Sequence, residues 1–137
     1  MKKYCLVLVV LLGLSMSCKA QEDLDFSGTK WILKTVDKQE VEAQKTLAKP
    51  AYIILDEDEF SASGYSGCNG FSVSFYLSGD ILKFESPMST KKGCSHNVES
   101  LFFSVLSRAD ACLVIGNKLI FTQMSEEIAT FEGFVEE

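Results

Sequence analysis

The sequence predicts one α+β domain: a compact antiparallel β-sheet or partly wrapped barrel of about six to eight strands, with one packed α-helix over about residues 96–109. Two observations predict this class. Strand-like segments follow one another with only short turns between them, which is typical of antiparallel pairing. A single segment carries apolar residues at helical spacing, and it lies between two predicted hairpins. A sheet with one helix packed on it accounts for both observations.

Aromatic and β-branched content, apolar runs and alternation mark the predicted strands. These strands are 30–36, 51–55, 60–64, 71–77, 81–85, 111–115, 118–122 and 128–132. The clearest is 71–77, in which apolar and polar residues alternate. Gly79-Asp80 and Gly116-Asn117 are typical of two-residue hairpin turns. The polar segment 37–49 gives no firm period, and we predict a loop or a short helical turn there.

The predicted helix is marked by apolar residues at positions i, i+3, i+4, i+7 and i+11, which form one stripe. That stripe consists of Val98, Leu101, Phe102, Val105 and Ala109. Ser95 or Asn97 can cap the helix start, where Glu99 also favours the positive end of the helix dipole. We expect the stripe to pack against the sheet, together with the single tryptophan, Trp31.

Residues 1–17 have the features of a signal peptide. Lys2 and Lys3 form a positive start, and Leu6 to Leu14 is apolar throughout. A run of about nine residues is too short for a permanent transmembrane helix, which needs roughly 20. We therefore exclude this leader from the fold and expect an exported protein.

Cys18 follows small residues, as in a bacterial lipobox, whose cysteine becomes the lipidated N-terminus. Ser15 departs from that pattern, which has leucine three residues before the cysteine. We predict a membrane anchor on Cys18, followed by an acidic tether over 18–25 and a domain over 26–137. The alternative is an ordinary cleavage after Ala20. Either route leads to a compartment that permits disulfides.

Composition excludes some function classes. The formal net charge is −6, and no basic cluster is present, so we expect no nucleic-acid partner. The acidic run Asp56 to Glu59 lacks the spacing of a calcium loop, and we expect a solvated turn. No nucleophile elbow and no CxxC pair occurs, and His96 is the only histidine. We therefore expect no catalytic residues, no metal site and no cofactor.

Four segments share a common pattern with known proteins: Gly28 to Leu33, the motif Gly67-Cys68-Asn69-Gly70 with Phe71, the segment Ser89 to Cys94, and Glu99 to Leu106 in the predicted helix. Together they resemble the META domain family, also called HslJ-like, of small bacterial envelope lipoproteins. The resemblance covers residues 26–132. Gly70 is a departure, since members often carry a larger polar residue there.

The resemblance implies a non-enzymatic accessory or binding module in envelope maintenance or stress response, associated with heat shock and drug tolerance. It implies a location at or outside the inner membrane. We expect a lipid-anchored protein of the cell envelope, in the outer membrane and facing the periplasm or the surface. We expect a monomer that meets the membrane through Cys18 and an unidentified protein or envelope partner.

Cys68 and Cys94 have three interpretations. A disulfide between them would stabilise the domain by roughly 3–4 kcal/mol. They could instead be two small buried thiols that never bond. The third interpretation is a thiol-redox or metal-handling site that also uses His96. The glycines around Cys68 favour a tight turn or bulge that brings it beside Cys94, with Asn69 satisfying local backbone groups. We expect Cys112 in the core.

Overall fold

The computed structural model describes residues 22–135, so the leader, Cys18 and the alternative cleavage after Ala20 lie outside the described residues. The described part contains ten strands and two helices. The strands are β1 (Lys30–Val36), β2 (Gln39–Glu40), β3 (Tyr52–Asp56), β4 (Ser61–Tyr65), β5 (Gly70–Ser78), β6 (Ile81–Phe84), β7 (Met88–Ser89), β8 (Ala111–Ile115), β9 (Lys118–Gln123) and β10 (Glu126–Phe134). The helices are α1 (Glu42–Thr46) and α2 (Val98–Arg108). Neither has the length and apolar content needed to cross a bilayer.

The sheet is antiparallel and ring-like. Its order is β10-β9-β8-β6-β5-β4-β3-β1-β2, and β10 also pairs with β1, from Lys30 opposite Phe134 to Val36 opposite Ala129. The ring is weakest between β6 and β8, which share one ladder pair, Ile81 and Ala111. The sheet is therefore not a regular barrel. The predicted α+β class is confirmed, with eight longer strands and the two-residue strands β2 and β7 in addition.

Positive φ angles occur in the hairpin turns both at glycine and at other residues. Gly79 and Gly116 have positive φ angles of 61° and 60°, and each opens a two-residue turn of the predicted kind. The β1–β2 turn contains no glycine, yet Asp37 and Lys38 have φ angles of 50° and 67°. Its Asp37 carboxylate forms an ion pair with Arg108 on α2, with oxygen and nitrogen 3.1 Å apart. This distant contact helps to hold a turn that local sequence does not favour.

The core lies inside the ring, and α2 packs into it. Val98, Phe102, Val105 and Leu106 of α2 are buried. The Phe102 ring lies 5.3 Å from that of Phe71 on β5 and 6.0 Å from that of Phe131 on β10. Burying each of these large side chains contributes roughly 1.5–3 kcal/mol. The helix therefore ties opposite sides of the sheet together.

Trp31 is fully buried, as expected for a core residue. Its indole Nε1 donates a hydrogen bond to the Phe26 carbonyl oxygen at 3.0 Å. The side chain therefore brings both its large apolar area and a satisfied polar group into the core.

Candidate functional site

The Gly67-Cys68-Asn69-Gly70 motif forms the turn between β4 and β5. Ser66 N–H donates to the Asn69 carbonyl oxygen at 2.8 Å, and Asn69 N–H donates to Ser66 Oγ at 2.9 Å. Gly67 has φ +93°, and an added Cβ would lie 2.8 Å from Val98 Cγ1. Both the backbone angle and the space against α2 therefore require glycine at this position.

Cys68 and Cys94 are joined by a disulfide in the structure, with their Cα atoms 5.9 Å apart. Of the three interpretations of this pair, the disulfide fits the observed distance. The bond connects the β4–β5 turn to the segment before α2. The two cysteines differ in environment, because Cys68 is 5% exposed and Cys94 lies on the surface.

The Asn69 side chain joins three segments. Its Nδ2 donates to Glu99 Oε2 at 2.9 Å and to the Lys92 carbonyl oxygen at 3.0 Å. Its Oδ1 accepts from Thr90 Oγ1 and from Lys92 N–H, both at 2.8 Å. The hydroxyl of Ser66 also donates to Glu99. We call Ser66, Asn69, Thr90, Lys92 and Glu99 the Asn69 cluster.

We expected Asn69 to satisfy local backbone groups, but the partners of its side chain are distant in the sequence. Its partners lie 21 to 30 residues away in the chain. Every hydrogen-bonding position of the amide is used, and within residues 22–135 no buried side-chain nitrogen or oxygen lacks a partner. The cluster therefore acts as a clamp that docks α2 and the preceding segment onto the β4–β5 turn.

Glu99 was predicted to interact with the helix dipole, and it does lie in the first turn of α2. The capping expectation was wrong: Asn97 is the N-cap residue, but its side chain makes no capping hydrogen bond. His96 Nδ1 instead accepts from Val98 N–H at 3.4 Å. The only histidine thus has a local structural contact at the helix start.

Cys112 lies on β8 and is partly buried against the core. Burial raises the pKa of its thiol to about 11, with smaller contributions from the carboxylates of Asp80 and Glu57. The thiolate is the nucleophilic and metal-binding form of cysteine, so this environment makes Cys112 unreactive at neutral pH.

The acidic run after β3 is a turn. Asp56 Oδ1 accepts from the backbone N–H groups of Asp58 and Glu59, at 3.0 and 3.2 Å. Across residues 22–135, no three His, Cys, Asp or Glu side chains gather in a group that could hold a metal ion. The Asp56 side chain therefore contributes to the local backbone structure of this turn.

An aromatic groove of about 530 Å³ lies beside β5 and β6. It is lined by Phe60, Phe75, Tyr76, Leu77, Lys83, Phe84 and Glu85. Phe60 is 51% exposed and Tyr76 is 60% exposed. The rings of Phe60 and Phe75 meet edge to face, with centroids 6.3 Å apart. The volume is within the range of small-ligand sites, roughly 300–1,000 Å³.

Phe60 has an unusual backbone for an aromatic residue, with φ 50°. Its carbonyl oxygen accepts from Phe75 N–H at 2.9 Å, which holds this conformation in place. A bulky residue in the left-handed region is uncommon, and such outliers concentrate at functional sites. The groove was not predicted from the sequence, because Phe60 was assigned to the start of an ordinary strand, 60–64.

A second cleft, of about 380 Å³, lies between β1 and α1. Its wall includes Gln44, whose Nε2 donates to the carbonyl oxygens of Leu33 and Ala51 at 3.1 and 2.9 Å. Gln44 Oε1 accepts from Ala51 N–H at 3.0 Å. The buried amide thus connects α1 to the sheet and offers little to a ligand, so the aromatic groove is the better candidate site.

The META domain family model matches residues 22–133, with the motif turn, the Asn69 cluster and α2 all inside the matched region. The chain belongs to the META domain family. The META domain is thus almost the whole of the described structure, and the resemblance seen in the sequence is confirmed.

Two of the solved structures that share this fold have low sequence identity to the chain. An NMR structure of a protein from Burkholderia xenovorans has 21% identity, covers 81% of this chain and 85% of its own, and superposes with a TM-score of 0.62. A crystal structure of a DUF4847 family protein from Bacteroides vulgatus has 13% identity, covers 82% and 96%, and has a TM-score of 0.60. At these identities the likeness concerns the fold alone. No curated protein matches the sequence.

Proposed function

We propose that this META domain is a non-enzymatic binding module of the bacterial envelope, carried on a lipoprotein and acting in envelope maintenance or stress response. The observation that carries the binding role is the aromatic groove, in which Phe60 is exposed despite its unfavourable backbone. The ligand that suits it is an apolar segment of an envelope protein, because ring faces and edges contribute binding through buried apolar area.

The chemistry-bearing side chains favour binding over catalysis. Asn69 and Glu99 are engaged in the clamp, and the Cys112 thiol is protonated at neutral pH. His96 faces the backbone of α2 through Nδ1. Asn69, Glu99 and His96 hold the fold together, and the groove is a feature that can recognise a partner.

The anchor is part of the same proposal. Lipidation of Cys18 would hold the domain in the cell envelope, in the outer membrane and facing the periplasm or the surface. The association of the family with heat shock and drug tolerance gives the proposed stress role. Mass spectrometry of the membrane-extracted protein should show an acylated Cys18, whereas a chain beginning at Gln21 would refute the anchor.

A thiol-redox role remains the second candidate, because Cys94 is on the surface. An incoming thiolate could attack Cys94 Sγ, forming a mixed disulfide and releasing Cys68 as a thiolate. Structural disulfides resist reduction, with potentials below about −300 mV. Equilibration with defined thiol buffers separates the two roles. A markedly higher potential would favour redox exchange over a purely structural bond.

The binding role is tested with Phe60→Gly, which removes one of the groove's two exposed rings and suits the left-handed backbone. Met124→Gly is the matched control, because Met124 also has φ 50°, is 81% exposed and lies outside the groove. In cells lacking the native gene, cross-linking to an envelope partner and survival of heat or drug stress should be restored by the wild type and by the control, but not by Phe60→Gly. Full restoration by Phe60→Gly would refute the groove as the binding site.

A further inference from the structure

The described chain begins beside the β8–β9 turn. Leu24 N–H donates to the Gly116 carbonyl oxygen at 2.7 Å, and Gly116 N–H donates to the Asp23 carboxylate. These two bonds hold Asp23 and Leu24 against the turn. Cys18 is only four residues before Glu22. At a maximum of about 3.5 Å per residue, a lipid on Cys18 would be joined to Glu22 by at most roughly 14 Å of chain.

Exposed apolar side chains lie on both sides of this turn, next to the exposed polar residues Asn117 and Lys118. Leu113 and Ile115, on the outer face of β8, are 52% and 55% exposed. Phe134 and Val135, at the end of β10, are 44% and 66% exposed. The two groups lie at the same end of the sheet, on either side of the turn, where Gly133 N–H donates to the Asn117 carbonyl oxygen at 2.7 Å. We call Leu113, Ile115, Phe134 and Val135 the apolar tip.

We propose that the apolar tip rests on the lipid bilayer, an inference that depends on the proposed lipidation of Cys18. The short tether brings the tip to the membrane, and exposed aliphatic and aromatic side chains gain by leaving water there. The acyl chains supply the attachment, and the tip sets the orientation of the domain. Glu22 and Asp23, the first two described residues, are acidic, so anionic lipid does not attract them. The proposed contact with the membrane is therefore apolar rather than electrostatic.

The opposite end of β9 provides an internal control. Met124 follows the last residue of this six-residue strand and is 81% exposed. At about 3.3 Å per residue, it lies roughly 20 Å along the strand from Lys118, which is opposite Ile115, and roughly 13 Å from Ile120, which is opposite Leu113. Met124 is therefore as apolar and accessible as the tip residues, but it should face away from the membrane.

The experiment places the photo-cross-linking amino acid p-benzoylphenylalanine at Ile115, at Leu113 or at Met124 of the full chain, exported in cells. The intact mass first establishes whether Cys18 carries acyl chains. After irradiation of isolated membranes, we expect lipid adducts at positions 115 and 113 and only background yield at 124.

The outcomes separate the two proposals. An acylated chain with no lipid adducts at either tip position, or with equal yields at 115 and 124, would overturn the orientation and leave the anchor intact. Protein adducts at the tip, with a second copy or with another protein, would also overturn it. A chain that begins at Gln21 without lipid would refute the anchor itself, and the docking with it. Both tip positions are exposed, so their replacement should leave the fold unchanged.

Discussion

Replacing Asn69 removes the centre of the clamp, and the size of the effect follows from its contacts. Asn69 is 3% exposed, and its amide makes four side-chain hydrogen bonds, to Thr90, Lys92 and Glu99. A net value of about 1 kcal/mol for each bond sets an upper value of about 4 kcal/mol. Thr90 and Lys92 are exposed, so water replaces part of the loss. We expect Asn69→Ala to lower the free energy of unfolding by about 2–3 kcal/mol.

Asn69→Asp tests the contact with Glu99 more specifically than Asn69→Ala. It keeps the shape of the side chain and replaces the amide nitrogen, a donor, with a carboxylate oxygen, an acceptor. The nitrogen that donates to Glu99 Oε2 at 2.9 Å becomes a carboxylate oxygen facing another carboxylate. Like charges at this distance raise the pKa of the introduced carboxyl above its unfolded value of about 3.9. The folded state then binds more protons than the unfolded state, so stability falls as pH rises above about 4.

The assay is urea unfolding of residues 19–137 in the oxidised form, followed by the fluorescence of Trp31, which is fully buried. Asn69→Asp should be at least as destabilised as Asn69→Ala at pH 7, with the difference shrinking towards pH 4. Asn117→Asp, in the exposed β8–β9 turn, is the matched control and should stay within about 0.5 kcal/mol of wild type. A loss below about 0.5 kcal/mol for Asn69→Ala, or a pH-independent effect of Asn69→Asp, would refute the clamp.

Three further predictions follow from the same region and from β8. Loss of the disulfide should lower the free energy of unfolding by about 3–4 kcal/mol, because the closed loop spans 26 residues. The loss is made by reduction or by the double variant Cys68→Ser with Cys94→Ser, and an unchanged urea midpoint under reductant would contradict the prediction. Gly67→Ala should cost about 2–3 kcal/mol, since the new Cβ meets a valine of α2 and φ is +93°. Gly93→Ala is the control, because an added Cβ at Gly93 has no atom within 4 Å, and it should lower the free energy of unfolding by under about 0.5 kcal/mol in the same assay. Equal losses for Gly67→Ala and Gly93→Ala would count against the steric explanation. Because burial raises the pKa of Cys112 to about 11, its alkylation rate should stay low at pH 8 and rise towards pH 11; a plateau reached near pH 9 would show an ordinary thiol.

Local patterns in the sequence determined most of the fold. The alternation over 71–77 became β5, and the apolar stripe became the buried face of α2. The glycines in the two predicted hairpin turns adopt positive φ angles. These features could be predicted because strand alternation, helical spacing and glycine turns depend on residues that are neighbours in the chain.

The candidate site could be predicted only in part. The glycine-rich motif and the closeness of Cys68 to Cys94 followed from the sequence. The groove did not, because Phe60 occupies it through a left-handed backbone that an aromatic residue rarely adopts. No local signal marked this conformation, since it is held by a hydrogen bond to the far strand residue Phe75.

The sequence by itself therefore determined the family, the eight longer strands and α2, and it predicts the leader, because each depends on a short run of residues. Tertiary structure alone decided the closure of β10 onto β1, the glycine-free turn at Asp37 and the partners of Asn69. Arg108 reaches Asp37 across 71 residues of chain, and Glu99 reaches Asn69 across 30. Such contacts exist only once folding has brought the segments together, and no periodicity in the chain encodes them.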